Sequence, residues 1–367
     1  MELAQTLFFP LVLCLLSPLA QQSVLLVSAG HHHGHHHHHH HLHHQTHRYL
    51  FDWRPTKLFV FGDSYSDTGN NRKSLTKSWK YPYGITFPGK PTGRFSDGRV
   101  LTDFLAKFVG VKSPIPYKFR NVGVKYLKYG MNFAYGGTGV FNTSVPAPNM
   151  TTQIDFFQEL IKVSVFNAQD LNSSVALITL AGNDYAHYQA LNNSAEGLKP
   201  FITSVINQLS DNLKRVSDLG VKKIVVTALQ PLGCLPGSTA EFSFQKCNGT
   251  QNLMVNFHNL LLQQAISKLN NKTKNSFIIL DLYASFMSVF KNKGDHLGSI
   301  KFANPLRPCC VGISSAYDCG SVDNSGTKKY TICEDPESAF FWDGAHPTQQ
   351  GWRAVYSALQ ATLDELY

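Results

Sequence analysis

Four positions carry side chains that together could move a proton and an acyl group: Ser64, Asn183, Asp343 and His346. A serine hydroxyl is a poor nucleophile until a neighbouring base removes its proton. Asp343-Gly344-Ala345-His346-Pro347 sets Asp and His three apart. On a turn that spacing can lay a carboxylate against an imidazole, which fixes the tautomer so that the ring takes a serine's proton. Asn183 stands in Gly182-Asn183-Asp184-Tyr185, and a side-chain amide there can donate to an oxyanion. The patch from Asn132 to Gly139 holds Gly136-Gly137, where the missing side chains let a backbone N–H approach a ligand closely. Taken singly, each is ordinary turn chemistry: a serine in a turn, an Asn in a tight turn, a glycine loop, a His beside a helix cap. The glycine patch is no dinucleotide fingerprint, because Gly-x-Gly-x-x-Gly is absent from it. The combined chemistry requires neither metal nor nucleotide.

These residues need a scaffold that brings distant stretches together. Leu58–Phe61 is a continuous apolar run that breaks at Gly62-Asp63-Ser64. Such a run suits a strand buried on both faces of a parallel sheet. Ser64 then sits at a strand's carboxyl end, the edge where open α/β sheets bind ligands. Val175–Leu180, Ile224–Ala228 and Phe277–Leu280 read as three further strands. Apolar residues at 3–4 spacing predict helices over Thr152–Val165, Leu198–Leu219 and Leu253–Leu269. A last helix is expected over Thr348–Leu366, with Pro347 leading into it. Strands alternating with helices imply an α/β fold with a parallel sheet covered on both sides. Asn71–Gly130 and Lys293–Ser338 have weak periodicity and read as long loops packed around that sheet.

The order Ser64, Gly137, Asn183, Asp343, His346 resembles the GDSL family of esterases and lipases, also called the SGNH hydrolases. The resemblance covers nearly the whole folded part. Gly69-Asn70, the late cysteines and Cys234 within Pro231–Pro236 are similar to the plant branch of that family. Tyr65 departs from it, standing where the family's name implies leucine. The resemblance implies a three-layer α/β/α sandwich with a mostly parallel, flavodoxin-like sheet. It assigns Ser64 as nucleophile, His346 as general base and then acid, and Asp343 as the group that orients His346. The oxyanion hole would be the N–H of Ser64, the N–H of Gly137 and the amide of Asn183, with Gly136 the competing middle donor. No cofactor is implied. The ordinary α/β-hydrolase elbow, Gly-x-Ser-x-Gly, does not occur in the chain.

The remaining sequence bears on location. Residues 1–29 read as a signal peptide: Leu7–Leu19 is apolar but interrupted by Pro10 and Pro18, and small residues precede cleavage after Ala29. Residues 30–55 form a His-rich extension expected to be disordered, and 56–367 the hydrolase domain. Cys14 would leave with the signal, so Cys234, Cys247, Cys309, Cys310, Cys319 and Cys333 remain, an even set expected in disulfides. Nearness in sequence favours Cys234 with Cys247, the other four closing their own cluster. No paired Cys-x-x-Cys marks a zinc site. Asn142, Asn149, Asn172, Asn192, Asn248 and Asn271 open N-glycosylation sequons. Net charge is +9 with the basic residues scattered, which argues against nucleic-acid binding and allows weak attraction to an acidic extracellular matrix. After the signal no segment is apolar enough for stable membrane insertion. The expectation is a secreted, extracellular serine hydrolase of lipid or small-molecule carboxylic esters, in the cell wall or apoplast for a plant. An acyltransferase and an idle accessory glycoprotein of the same fold are the alternatives.

Overall fold

The computed structural model describes residues 53–180, 182–273, 277–292 and 300–367. The expected signal peptide, Cys14 and residues 30–52 of the expected extension lie outside the described residues.

Six parallel strands form the central sheet: β1 Lys57–Phe61, β2 Ile115–Pro116, β3 Gly130–Asn132, β4 Ser174–Ile178, β5 Lys223–Thr227 and β6 Phe277–Leu280. Their order is β2-β3-β1-β4-β5-β6. Without the short edge strand β2, this is the flavodoxin-like order, in which the chain's first strand lies between the second and the third. Both neighbours of β1 run parallel to it, Leu58 lying opposite Gly130 on one side and Val175 on the other. The loop after β1 therefore stands at the point where strand order reverses, the place such sheets bind ligands.

Helices cover both faces. In chain order they are α1 Leu101–Phe108, α2 Met150–Lys162, α3 Ala168–Asn172, α4 Asn183–Ala190, α5 Ala195–Asp218, α6 Pro236–Thr239, α7 Gly249–Thr273, α8 Leu282–Lys291 and α9 Gln349–Ala358. Alternate strand residues point to opposite faces. Phe59, Phe61, Ile178 and Val226 pack with Phe157 of α2, Leu209 of α5 and Leu262 of α7. Leu58, Val60, Leu177 and Val225 pack with Leu105 of α1, Phe286 of α8 and Trp352 of α9. The result is the expected three-layer α/β/α sandwich. Burying the apolar side chains of two faces stabilises it by roughly 1.5–3 kcal/mol for each large one fully enclosed.

The structure differs from the sequence reading in several places. Asn71–Gly130 is not all loop: it contains α1, whose apolar face Leu101, Leu105 and Ala106 joins the core, and β2. The segment 300–338 contributes an antiparallel pair, β7 Cys310–Gly312 and β8 Tyr330–Ile332. Pro347 does not occupy the first helical turn. Thr348 is the N-cap of α9, its hydroxyl accepting from the Gly351 N–H at 2.8 Å, and Pro347 precedes the cap. The expected last helix ends at Ala358 and continues to Leu366 only as short turns. Trp53, placed by sequence in the extension, packs against the core, and its indole N–H donates to the Asn172 carbonyl at 3.2 Å.

All six cysteines of the described residues are paired: Cys234–Cys247, Cys309–Cys333 and Cys310–Cys319. None of the six sequon asparagines is buried.

Candidate active site

β1 ends at Phe61 and the chain turns through Gly62 at φ +131°. A Cβ there would lie 2.3 Å from the Thr179 hydroxyl oxygen and 2.5 Å from its carbonyl, so only glycine fits. The turn is fastened from below. Gln153 of α2 is fully buried, accepting from the Gly62 N–H at 2.8 Å and donating to the Gly62 carbonyl at 2.9 Å. The buried Ser64 hydroxyl lies at the top of this turn, 2.8 Å from His346 Nε2.

The glycine patch after β3 is tied to the same turn. Tyr135 N–H donates to the Gly62 carbonyl at 3.0 Å. Asp67 Oδ1 accepts from the Gly69 and Asn70 N–H groups at 2.7 Å each, and its Oδ2 accepts from the Gly136 N–H at 3.0 Å. Burial pushes the Asp67 carboxyl up to about 6 against the pull of these three N–H groups. The Gly136 N–H is thus already used. The N–H groups of Gly137 and Ser64 have no protein acceptor among the described residues. This distinction between adjacent glycines bears on which of them can face a ligand.

Asn183 is not in a tight turn; it is the first residue of α4, entered through Gly182 in the left-handed conformation. Its amide donates to the Thr138 carbonyl at 2.9 Å and reaches Asp63 Oδ2 only at 3.5 Å. A primary amide has two N–H donors, and the second is held loosely. Asp184 fastens the glycine patch to α4, accepting from Val140 and Phe141 N–H at 2.9 Å.

Asp343 and His346 lie on a loop after the buried run Phe340-Phe341-Trp342. His346 Nδ1 faces both oxygens of Asp343, at 2.8 and 2.9 Å. The same carboxylate caps its own turn, accepting from the Ala345 N–H at 3.0 Å and the His346 N–H at 2.9 Å. Tyr83 donates its hydroxyl to Asp343 Oδ2 at 2.8 Å. Burial pushes the Asp343 carboxyl up, but His346 and these donors outweigh it and hold the carboxyl below its ordinary range. An ionised, immobilised carboxylate on Nδ1 leaves Nε2 free to accept a proton from Ser64.

Tyr65 explains its own departure from leucine. Its ring is buried edge-on against Trp352 with centroids 5.0 Å apart, and its hydroxyl donates to the Ala345 carbonyl at 2.9 Å. It links the serine turn to the histidine turn. Phe95 does the same from the other side: its ring lies 5.1 Å from the His346 ring and covers Gly136, where an added Cβ would lie 2.2 Å from it. A cavity of about 460 Å³ opens beside His346.

The structure therefore brings Ser64, Asp343 and His346 into one hydrogen-bonded line and sets Gly137 on the glycine patch and Asn183 at the start of α4, both beside the serine turn. Sequence reasoning missed Tyr83, Gln153, Asp67, Tyr65's hydroxyl contact and Phe95. Only Gln153 carried a signal, a polar side chain within the apolar stripe of its helix.

Comparison with known proteins identifies the family. The profile of the family described as GDSL-like Lipase/Acylhydrolase matches residues 58–359. A GDSL esterase/lipase of Arabidopsis thaliana is 62% identical over 318 residues, covering 86% of this chain and 89% of its own. A second from the same plant is 56% identical, covering 88% and 92%. Acetylajmalan esterase 2 of Rauvolfia serpentina is 30% identical, covering 82% and 88%. The protein is a carboxylic ester hydrolase. It belongs to the GDSL-like lipase/acylhydrolase family, in the plant branch.

Proposed function

We propose that the protein is a secreted esterase or lipase that cleaves carboxylic esters through an acyl-enzyme on Ser64. The observation that carries the reading is the continuous line from Ser64 Oγ through His346 to Asp343, with contacts of 2.8 Å on each side of the imidazole. Ser64 Oγ attacks the ester carbonyl carbon and its proton passes to His346 Nε2. The carbonyl oxygen becomes an oxyanion and accepts from the Ser64 N–H, the Gly137 N–H and the Asn183 amide. The tetrahedral intermediate collapses by breaking its bond to the alcohol oxygen, which takes the proton from Nε2. Water then attacks the acyl-serine, gives its proton to His346, and the acid leaves as Ser64 regains its hydrogen. Asp343 stays ionised throughout. Gly137 is favoured over Gly136 as the middle donor because Asp67 holds the Gly136 N–H.

Secretion is part of the proposal. The apolar, small-residue amino end reads as a cleavable signal. Three disulfides within the described residues suit an oxidising compartment. Asn142, Asn172, Asn192 and Asn271 are exposed, and Asn149 and Asn248 half-buried, so glycan attachment meets no buried side chain.

The test is labelling with a serine-directed fluorophosphonate followed by peptide mapping. The expected adduct is on Ser64, and Ser64→Ala loses both the adduct and turnover, by about a millionfold. Hydrolysis by purified Ser64→Ala at the wild-type rate overturns the assignment. Mature protein recovered from the medium should begin after Ala29, which N-terminal sequencing reads directly.

A further inference from the structure

We infer that the cavity beside His346 receives the alcohol part of the ester, so that the substrate's apolar bulk is carried by its alcohol rather than by its acyl chain. The inference rests on the acyl-enzyme reading above and adds a direction to it. In that chemistry the departing oxygen must take its proton from His346 Nε2, so the alcohol leaves on the imidazole side of the reacting carbon. The oxyanion lies away from it, toward the donors of the Ser64 turn and the glycine patch. The cavity of about 460 Å³ is lined by His346 itself and by Phe95 beside it. The Phe95 ring reaches from the imidazole to Gly136, one residue from the proposed oxyanion donor. It therefore forms one continuous apolar surface from the reacting centre into the cavity.

Beyond Phe95 the lining is mostly apolar, including Leu75, Pro236, Ala240 and Phe244. Size and lining both fall within the range of pockets that enclose small organic molecules. The cavity is also pre-formed. The Cys234–Cys247 bridge closes the loop that carries Pro236, Ala240 and Phe244, and Cys310–Cys319 closes the facing loop. Polar groups stand on the same lining, where Lys77 pairs with Asp318 at 3.0 Å and also donates to the Ser321 hydroxyl. An alkyl or aryl alcohol with a polar far end matches that lining.

Two ester series decide the matter. One holds the acyl group at acetyl and lengthens the alcohol from methyl to hexyl; the other holds the alcohol at methyl and lengthens the acyl chain from acetyl to hexanoyl. Each enclosed methylene is worth about fourfold in binding when fully buried. The expected result is a rise in kcat/KM of about tenfold or more along the alcohol series and less than about threefold along the acyl series. Ala240→Trp, at an exposed position that fills the cavity, should flatten the alcohol series, read as the ratio of hexyl to methyl acetate. A flat alcohol series, an acyl series at least as steep, or an Ala240→Trp ratio equal to wild type each overturns the inference. Turnover surviving in Ser64→Ala overturns instead the acyl-enzyme reading on which it rests.

Discussion

Ser64, Gly137 and Asn183 follow β1, β3 and β4, three adjacent parallel strands, whereas Asp343 and His346 follow none of the six and sit on a loop. The sheet-borne half is positioned by strand pairing and by side chains that hold backbone groups of its turns. Its turns are fastened by Gln153 to Gly62, Asp67 to Gly136 and Asp184 to Val140, all within the sandwich. The loop-borne half is positioned by side chains from distant segments. Tyr83 holds Asp343, Tyr65 holds Ala345, and the disulfide pairs Cys309–Cys333 and Cys310–Cys319 anchor the chain beside Phe341 and Trp342. The difference extends to electrostatics. Each half contains a carboxylate buried against N–H donors, yet Asp67 is pushed up to about 6 and Asp343 is held down. Asp343 has an imidazole in direct contact with its carboxylate, whereas Asp67 has three N–H dipoles and the weaker pull of Lys118. A partner in contact outweighs desolvation where N–H groups and a weaker charge do not.

The sharpest way to break this comparison is Asp343→Asn. The amide keeps the shape but loses the charge and offers the imidazole the wrong tautomer. The expected loss in kcat is about 10⁴, with circular dichroism unchanged. A variant retaining wild-type turnover removes Asp343 from the site. In the fold, Asp343 contributes stability that is present above the ordinary carboxylate range and lost as pH falls through its depressed value, so the variant should also lack that acid-side loss in thermal melts.

On the sheet side, Asn183→Ala tests whether the side-chain amide of this half acts on transition-state charge. Loss of one such donor costs about 10²–10³ in kcat with KM nearly constant. Should KM move alone, Asn183 belongs to substrate binding.

Asp67→Asn addresses placement rather than charge donation. An amide nitrogen would be turned toward either the Gly136 N–H or the Gly69 and Asn70 N–H groups, donor against donor. Displacement of the glycine patch should lower kcat by roughly tenfold to a hundredfold. The variant also has a pH signature. Asp67 ionises at about 6 in the fold and at about 3.9 in an unfolded chain. Between those values the folded protein holds a proton that the unfolded chain has released, so stability falls as pH rises, by up to about 3 kcal/mol. Chemical denaturation between these limits should show that slope in the wild type and lose it in Asp67→Asn.

The smallest expected effect is Tyr65→Phe, which deletes one of the hydrogen bonds joining the two halves and leaves the Ser64–His346 contact. It should cost about 0.5–1.5 kcal/mol in urea denaturation and less than about tenfold in kcat. A loss as large as that of Asn183→Ala would mean that the halves are not independently positioned.

This division also explains what could be read from sequence. Buried strands are continuous apolar runs, so Leu58–Phe61 and its three counterparts were legible, and with them the strand ends that carry Ser64 and Asn183. β3 was not, because Gly130-Met131-Asn132 is too short to carry a periodicity. α1 was legible in principle through Leu101, Leu105 and Ala106 but was masked by the Tyr, Pro and Gly around it. Asp343 and His346 were legible as a pair through a local three-residue interval, but it was their place in the order with Ser64, Gly137 and Asn183, and the family that order resembles, that singled them out. Their supports were not. Tyr83 lies 260 residues from Asp343 and Tyr65 lies 280 from Ala345, and no pattern within a window of sequence reports a contact at that range. The preference for Gly137 over Gly136 came with the family resemblance; what separates the two physically is a partner, Asp67, that is 69 residues from Gly136.

The Ser64–His346 hydrogen bond spans 282 residues of chain. Contacts of such separation form late, because the closure entropy is spent before the contact returns anything. A nascent or C-terminally shortened chain can complete β1 to β6 and still have no base opposite its serine. During refolding, tryptophan emission should therefore recover no later than turnover, which needs the Ser64–His346 contact in place. The proposed base arrives with the last segment of the chain, so a cut between Leu280 and Asp343 keeps all six strands but removes His346 together with α9, which covers one face of the sheet.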